Sequence, residues 1–272
     1  VPEKLYTTLV ILFVLLKTPL KESKVLIGTN PLFLPLAVPL IKLLRPKEIN
    51  LICYDLFPQN LILQSNFFLK VFLYFVSKFY LISYRMLDKI IVVGRDMACK
   101  VAELKLVNKS KIFYVPNWGE NNNKKLTFRT YNNDSKLKIL FFGNLGRFQN
   151  IPNFLEQISF VSRKDVQFIF AGAGEYEKEV QQLSFEDKRV IFIGSIPMSQ
   201  REDVYMSAHI SIVSVMHGMK GLCVPSKAYF SLINAHPIIS FVESESEVDF
   251  LCREYGCGWV IDPTDKKSLN SL

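Results

Sequence analysis

The chain has 272 residues, 49% hydrophobic and 21% charged, which is enough apolar material for a sizeable core and speaks against a disordered chain. Its five cysteines are an odd number, with no Cys-x-x-Cys or Cys/His cluster, which suits reduced thiols in a cytoplasmic protein better than a disulfide or zinc framework. The formal charge of +8 is unevenly spread: residues 1–125 hold 18 Lys+Arg against 8 Asp+Glu, and residues 126–272 hold 15 against 17, so the first half is the part suited to an anionic surface or substrate.

In chain order, the apolar run Leu5 to Leu16 is short of the roughly twenty residues that span a bilayer, and it lacks a small-residue cleavage site. It is expected to be a buried or interfacial helix. The chain opens inside this helix and closes, over 265–272, on what reads as a helix just begun, so it is expected to be a fragment truncated at both ends. Strands are predicted at 24–28, 49–54, 89–93 and 112–115, with helices over 32–44, 66–87 and 95–106. Polar, turn-rich sequence at 119–135 marks a domain boundary. The alternation then restarts, with strands near 137–142, 167–171, 190–194, 210–215, 237–242 and 258–261. Helices fall near 151–162, 175–183, 199–207, 225–234 and 245–254. Strands alternating with helices in this way predict parallel α/β sheets. We therefore expect two doubly wound Rossmann-like domains, 1–125 and 126–272, with a ligand cleft between them at the carboxyl ends of the strands.

Three stretches of the second half carry candidate chemistry. In Gly218-Met-Lys-Gly-Leu-Cys-Val-Pro-Ser-Lys227, a glycine loop leads into a helix that Pro225 opens as its first residue, followed by Ser226 and Lys227. Free N–H groups and the positive dipole end suit a phosphate there; a plain loop–helix join with a surface lysine is the other reading. In Phe142-Gly-Asn-Leu-Gly-Arg147, backbone N–H groups of the turn Gly143, Asn144, Leu145 and Gly146 can face a diphosphate, with Arg147 neutralising it; a tight turn explains the same residues. Gly172 and Gly174 form a second glycine turn of the same ambiguous kind.

In the first half, Asp55 follows a strand and suits either an acceptor hydroxyl or a turn cap. The segment 61–87 is rich in Phe, Tyr, Leu and Val, and its Lys70, Lys78 and Arg85 fall within roughly 80° on a helical wheel. Such a stripe fits an anionic membrane surface, or alternatively a core helix with one solvated edge. No run is expected to span, so attachment would be peripheral. His209 and His236 are expected to be structural, whereas His217 lies in the phosphate-candidate loop. There is neither a metal-binding histidine spacing nor an Asp-x-Asp, so no metal and no cofactor is expected. The absence of RNP, zinc-finger or helix-turn-helix patterns argues against nucleic acid.

The second half resembles the GT-B glycosyltransferases of family 4. The matching pieces are Ile139-Leu-Phe-Phe-Gly-Asn-Leu-Gly146, Phe168-Ile-Phe-Ala-Gly-Ala-Gly-Glu175, Val190-Ile-Phe-Ile-Gly194 and Tyr205-Met-Ser-Ala-His-Ile-Ser-Ile-Val213. The most specific is Gly221-Leu-Cys-Val-Pro-Ser-Lys-Ala-Tyr229, with Pro237-Ile-Ile239 ten residues after the lysine, which is similar to the Pro-Ser-Lys subtype of capsule, O-antigen and exopolysaccharide enzymes. Tyr54-Asp-Leu-Phe-Pro58, Ile91-Val-Val-Gly-Arg-Asp-Met97 and Val115-Pro-Asn-Trp118 resemble the acceptor-domain landmarks. The resemblance departs at the family's frequent Glu-x7-Glu: Leu222 and Phe230 stand at the two positions, the second of which commonly binds the donor ribose. Glu247 is the remaining candidate carboxylate, and Phe148 stands where a lysine is common. The family's first strand and glycine-rich loop are expected to lie before Val1.

The resemblance implies a retaining, metal-independent transfer of a sugar from a nucleoside-diphosphate sugar, most simply a uridine one, to a lipid-linked saccharide. It places Lys227 and Asp55 in catalysis. The donor would be held by Gly143–Arg147, Gly172, Gly174, Pro225, Ser226, Lys227, Tyr229 and Glu247. Arg95, with Lys70, Lys78 and Arg85, would serve the acceptor and membrane side, on the inner face of the membrane. The alternatives are a sugar-nucleotide epimerase, for which no carboxylate is placed near the donor loop, and an inactive GT-B relative that only binds a membrane or partner.

Overall fold

The computed structural model describes residues 2–104, 107–119 and 136–271. The chain forms two compact units: Val1–Asn117 with Lys220–Val224, and Trp118–Met219 with Pro225–Leu272. The expected boundary stretch lies, from residue 120 onward, outside the described residues. Lys220–Val224, inside the glycine loop, belongs to the first unit although the chain on both sides of it belongs to the second.

In the first unit, α1 (Pro2–Lys17) is followed by β1 (Lys24–Gly28), α2 (Val38–Leu43), β2 (Glu48–Cys53), α3 (Gln59–Gln64), α4 (Phe67–Met86), β3 (Lys89–Val92), α5 (Arg95–Glu103) and β4 (Ile112–Tyr114). The four strands are parallel and lie in chain order, β1-β2-β3-β4. Unreversed, right-handed crossovers put connecting helices on one face of a sheet. The burial follows: Val25, Ile27, Ile49, Leu51, Cys53, Ile90 and Val92 are buried, while their alternates run from half-buried to Leu26 at 58% exposure. The reversal that defines double winding is therefore absent from the described strands of this unit.

Two helices of the first unit bear on the expectations. The side chains Leu5, Leu9, Phe13 and Leu16 of α1 are exposed, which excludes the buried one of its two readings and leaves the interfacial one. The second case is α4, a continuous helix of 20 residues that is long and apolar enough, by length and composition, to cross a membrane. The expectation that no run reaches spanning length is thus corrected: three dispersed cations interrupt the apolar run but not the helix, which Asn66 caps through a bond from Leu69 N at 3.0 Å. One side of α4 nevertheless packs on its own unit. Leu73, Tyr80, Ser83 and Tyr84 are buried, and the Tyr80 and Tyr84 hydroxyls donate to Leu32 O (2.6 Å) and Phe57 O (3.1 Å).

The second unit runs β5 (Leu137–Phe142), α6 (Ile151–Phe160), β6 (Val166–Ala171), α7 (Glu177–Glu186), β7 (Val190–Gly194), α8 (Arg201–Met206), β8 (Ile210–Ser214), α9 (Ser226–Ile233), β9 (Ile238–Phe241), α10 (Glu247–Tyr255) and β10 (Gly258–Ile261). Its six parallel strands are ordered β10-β9-β8-β5-β6-β7, so the winding reverses between β5 and β8. The strands β6, β8 and β9 are buried on both faces, as a doubly covered sheet requires. One face is an aromatic core in which Phe141 stacks on Phe154 and Phe170, with Phe168 edge-on and Phe241 tilted against Phe154; Leu140, Tyr205 and Ala208, and separately Val213, Ala228 and Val248, fill two further clusters.

Candidate functional site

A reversal of strand order opens a crevice at the carboxyl ends of the two strands on either side of it. In the second unit those strands are β5, which ends in the Gly143 turn, and β8, whose outgoing loop leads to α9. Pro225 is the N-cap of α9 rather than its first helical residue, because its ψ of 109° is extended. Ser226 and Lys227 therefore occupy the first two helical positions, whose N–H groups have no partner within the helix.

The lysine turns inward. Its Nζ is enclosed without a hydrogen-bond partner among the described residues, 3.9 Å from the centroid of the Phe141 ring. It also lies 3.8 Å from where a Cβ on Gly143 would stand. Burial alone brings its pKa down to about 7. The ring beneath favours the charged form by at most about 2 kcal/mol, while enclosing an ammonium without a counter-ion costs several. Burial wins, and the amine gives up its proton far more readily than an ordinary lysine. The side-chain oxygens of Gln149 and Ser214 are likewise enclosed without partners. Each such atom costs about 1–3 kcal/mol. Ser214 ends β8 and Gln149 closes the turn after β5, the strand ends that the fold opens to a ligand, and an anionic ligand with hydroxyls would suit them.

The remaining predicted donor residues separate into two groups. Gly172 and Gly174 are glycines because the two turns pack backbone to backbone: an added Cβ would lie 1.8 Å from Gly143 O and 2.6 Å from the Leu145 carbonyl carbon. Gly143 N donates to Ala171 O (2.8 Å) and Leu145 N to Ala173 O (2.9 Å), while Leu145 O accepts from Tyr176 N (3.0 Å). The expectation that the turn's N–H groups face a diphosphate is therefore corrected for Gly143 and Leu145, whose N–H groups are engaged within the unit; the Leu145 side chain is fully buried in the core. Arg147 stands exposed and paired with Glu175 at 2.7 Å, so its charge is shared before any ligand arrives. Asn144 and Gly146 complete that turn, the Asn144 amide packing beside Gly146. The half-buried Tyr229 and the buried Glu247, which opens α10, also belong to this unit.

The histidines sort as expected for two of the three. His209 Nδ1 accepts from Lys138 N (3.0 Å), and His236 Nδ1 lies 2.9 Å from Ser211 Oγ, both structural contacts. His217 is 3.6 Å from Glu243, whose other oxygen accepts from Gly218 N at 2.9 Å.

In the first unit, Asp55 follows β2. Its N–H, with that of Tyr54, donates to Thr29 Oγ1, and its backbone bridges to Cys223. Burial raises the carboxyl pKa, partly opposed by Lys4. The glycine loop is fastened here: Leu56 N donates to Leu222 O (2.7 Å) and Gly221 N to Asp96 Oδ2 (2.9 Å). Arg95 opens α5 with its guanidinium 6.0 Å from the Tyr114 ring. Lys70, Lys78 and Arg85 are exposed on α4, flanking an exposed arc of Phe68, Phe72, Phe75 and Phe79.

Sequence reasoning missed the floor under Lys227, formed by Phe141, and the enclosed oxygens of Gln149 and Ser214. Phe141 looks like any strand aromatic, and enclosure is invisible without neighbours.

No protein-family model matches the chain. A probable glycosyltransferase of Pseudomonas aeruginosa, WbjE, is 30% identical over 261 residues, covering 91% of this chain and 64% of WbjE, so the chain spans just under two thirds of that relative. Among solved structures, HepE of Anabaena in complex with UDP has a TM-score of 0.64 at 12% identity, covering 91% of this chain and 67% of HepE. WaaG, a glycosyltransferase involved in lipopolysaccharide biosynthesis, has a TM-score of 0.60 at 11% identity, covering 86% and 70%. The two parallel α/β sheets match the GT-B fold of these structures.

Proposed function

We propose that the chain is a family 4 glycosyltransferase that moves a sugar from a nucleoside-diphosphate sugar to a lipid-linked or polysaccharide acceptor in cell-surface polysaccharide synthesis. The observation that carries this reading is the enclosed, unpaired Lys227 Nζ at the strand reversal, beside the first turn of α9. A diphosphate is the counter-ion such an amine lacks. Charge develops on the leaving diphosphate as the glycosidic bond breaks, and Lys227 with the N–H groups of Ser226 and Lys227 is arranged to stabilise it. Neutralisation by these groups supports a transfer that needs no metal. UDP in HepE and the Pro-Ser-Lys resemblance support a uridine donor and a retaining outcome.

Asp55 takes the acceptor-side role: a carboxylate with a raised pKa is a better base toward a hydroxyl than an ordinary one. Arg95 is assigned to the same side. A lipid-linked acceptor and a peripheral place on the cytoplasmic face of the membrane are supported by the exposed aromatic arc of α4 with its three flanking cations, and by the packing of the opposite side of α4 on its own unit.

The test is release of nucleoside diphosphate by the full-length protein, with crude membrane lipid as acceptor, in the presence of a chelator. Lys227→Ala should lower turnover about ten- to a hundredfold, as expected for losing a charge-assisted contact. Unchanged turnover would remove the phosphate role. No turnover by the wild type with any donor would leave a non-catalytic GT-B relative that binds a membrane or partner, a reading that the absence of glutamate at Leu222 and Phe230 favours.

A further inference from the structure

We infer that Arg201, whose guanidinium lies over the ring of Phe230, grips the nucleoside half of the donor, an inference that rests on the donor-site reading of the second unit. Arg201 is the first residue of α8, which enters from the carboxyl end of β7. Its guanidinium carbon lies 3.5 Å from the Phe230 ring centroid and 6.0 Å from those of Phe142 and Tyr205. Among the described residues, the partners of this cation are three rings and the Tyr205 hydroxyl.

Its place in the unit points to a ligand role. Phe142 immediately precedes Gly143, so the stack sits at the same strand end as the Lys227 chamber. Phe230 is three residues beyond Lys227 on α9, and side chains three apart share a helix face. Lys227 Nζ lies over Phe141 and the Arg201 plate beside Phe142, consecutive residues whose side chains point to opposite faces of the sheet, so the two cations flank the carboxyl end of one strand, β5. A guanidinium stacked on one ring keeps its in-plane N–H groups and its other face for a second partner. Arg201 is half-buried, so part of that plate remains open. Ribose hydroxyl oxygens and base carbonyls accept from such a plate, and a base can stack on it.

The experiment is calorimetric binding of UDP and of inorganic pyrophosphate to the full chain, for wild type, Arg201→Ala, Arg201→Lys and Phe230→Leu, with far-UV spectra and thermal midpoints recorded for each. Arg201→Ala should weaken UDP about ten- to fiftyfold, the scale of a charge-assisted contact. Pyrophosphate, which has no nucleoside, should bind every variant within about twofold of wild type, since no phosphate contact is removed. Arg201→Lys keeps the charge but not the plane and should rescue UDP poorly, and Phe230→Leu should reproduce the loss by freeing the plate. Should Arg201→Ala not fold, Arg201→Lys and Phe230→Leu carry the comparison. Wild-type UDP affinity in Arg201→Ala, or equal losses for UDP and pyrophosphate, would overturn the inference while leaving the donor site standing. A wild type that binds neither ligand would overturn the donor-site reading itself.

Discussion

At the scale of single residues, the second unit is organised around an enclosed amine that has no counter-ion among the described residues. The folded-state pKa of Lys227 is brought down to about 7, so between pH 7 and the ordinary lysine value of 10.5 the unfolded chain holds a proton that the folded one does not. Stability of the ligand-free protein should therefore rise with pH across that window, and the slope should be absent in Lys227→Met. At pH 7 the same substitution should raise stability in urea unfolding by about 1–3 kcal/mol, because it removes an enclosed polar atom without a partner. It should at the same time abolish tight nucleotide binding. A Lys227→Met protein less stable than wild type would mean that the amine has a partner after all. Asp55 makes the complementary case on the acceptor side. Since burial holds its carboxyl pKa up, ionisation at neutral pH works against folding. Asp55→Asn should keep or raise the thermal midpoint, leave UDP affinity unchanged and cut transfer. A drop in midpoint together with UDP affinity would reduce Asp55 to a turn-former.

At the scale of elements, the loop Lys220–Val224 shows why glycine spacing has to be read in three dimensions. Gly221 has φ of +74°, and a Cβ there would lie 2.8 Å from Lys100 Cβ and 2.9 Å from Asp96 O. Gly256, the C-cap of α10, has φ of +59° with nothing within 4 Å of its Cβ position. Gly256→Ala should cost about 1–2 kcal/mol for the left-handed backbone alone, and Gly221→Ala distinctly more, because strain and overlap add. Chemical denaturation of the two variants measures the order, and the reverse order would show that the loop relaxes freely. For α4, the exposed arc and its cations predict surface binding. Changing Lys70, Lys78 and Arg85 together to Gln should move the protein from the pellet of anionic vesicles to the supernatant with an unchanged far-UV spectrum, since each cation contributes about 1 kcal/mol there. Continued pelleting would shift the attachment to the apolar residues alone.

At the scale of the whole molecule, the charge asymmetry sets a direct expectation. With 18 Lys+Arg against 8 Asp+Glu in residues 1–125, vesicle binding by the wild type should fall as salt rises, because surface charges are screened beyond roughly 8–10 Å at physiological ionic strength. Salt-insensitive pelleting would instead indicate insertion of the apolar helix, which α4 is long enough to allow.

What the sequence determined by itself is the alternation of strands and helices, the parallel sheets that follow from it, and the loop–helix join that carries Ser226 and Lys227. These are written in short-range patterns: apolar runs of strand length, helical periodicity, and Gly and Pro at the breaks. The site was only half legible for the opposite reason. Whether Lys227 is a surface lysine or an enclosed amine depends on Phe141, a strand residue 86 positions earlier. The pairing of Arg147 depends on Glu175, and the need for glycine at 172 and 174 on the turn that begins at Gly143. Arg201 carries no motif, and only the packing of α8 beside α9 lays it on Phe230. Enclosure, pairing and close backbone approach are properties of segments far apart in sequence, and the tertiary structure alone brings those segments together.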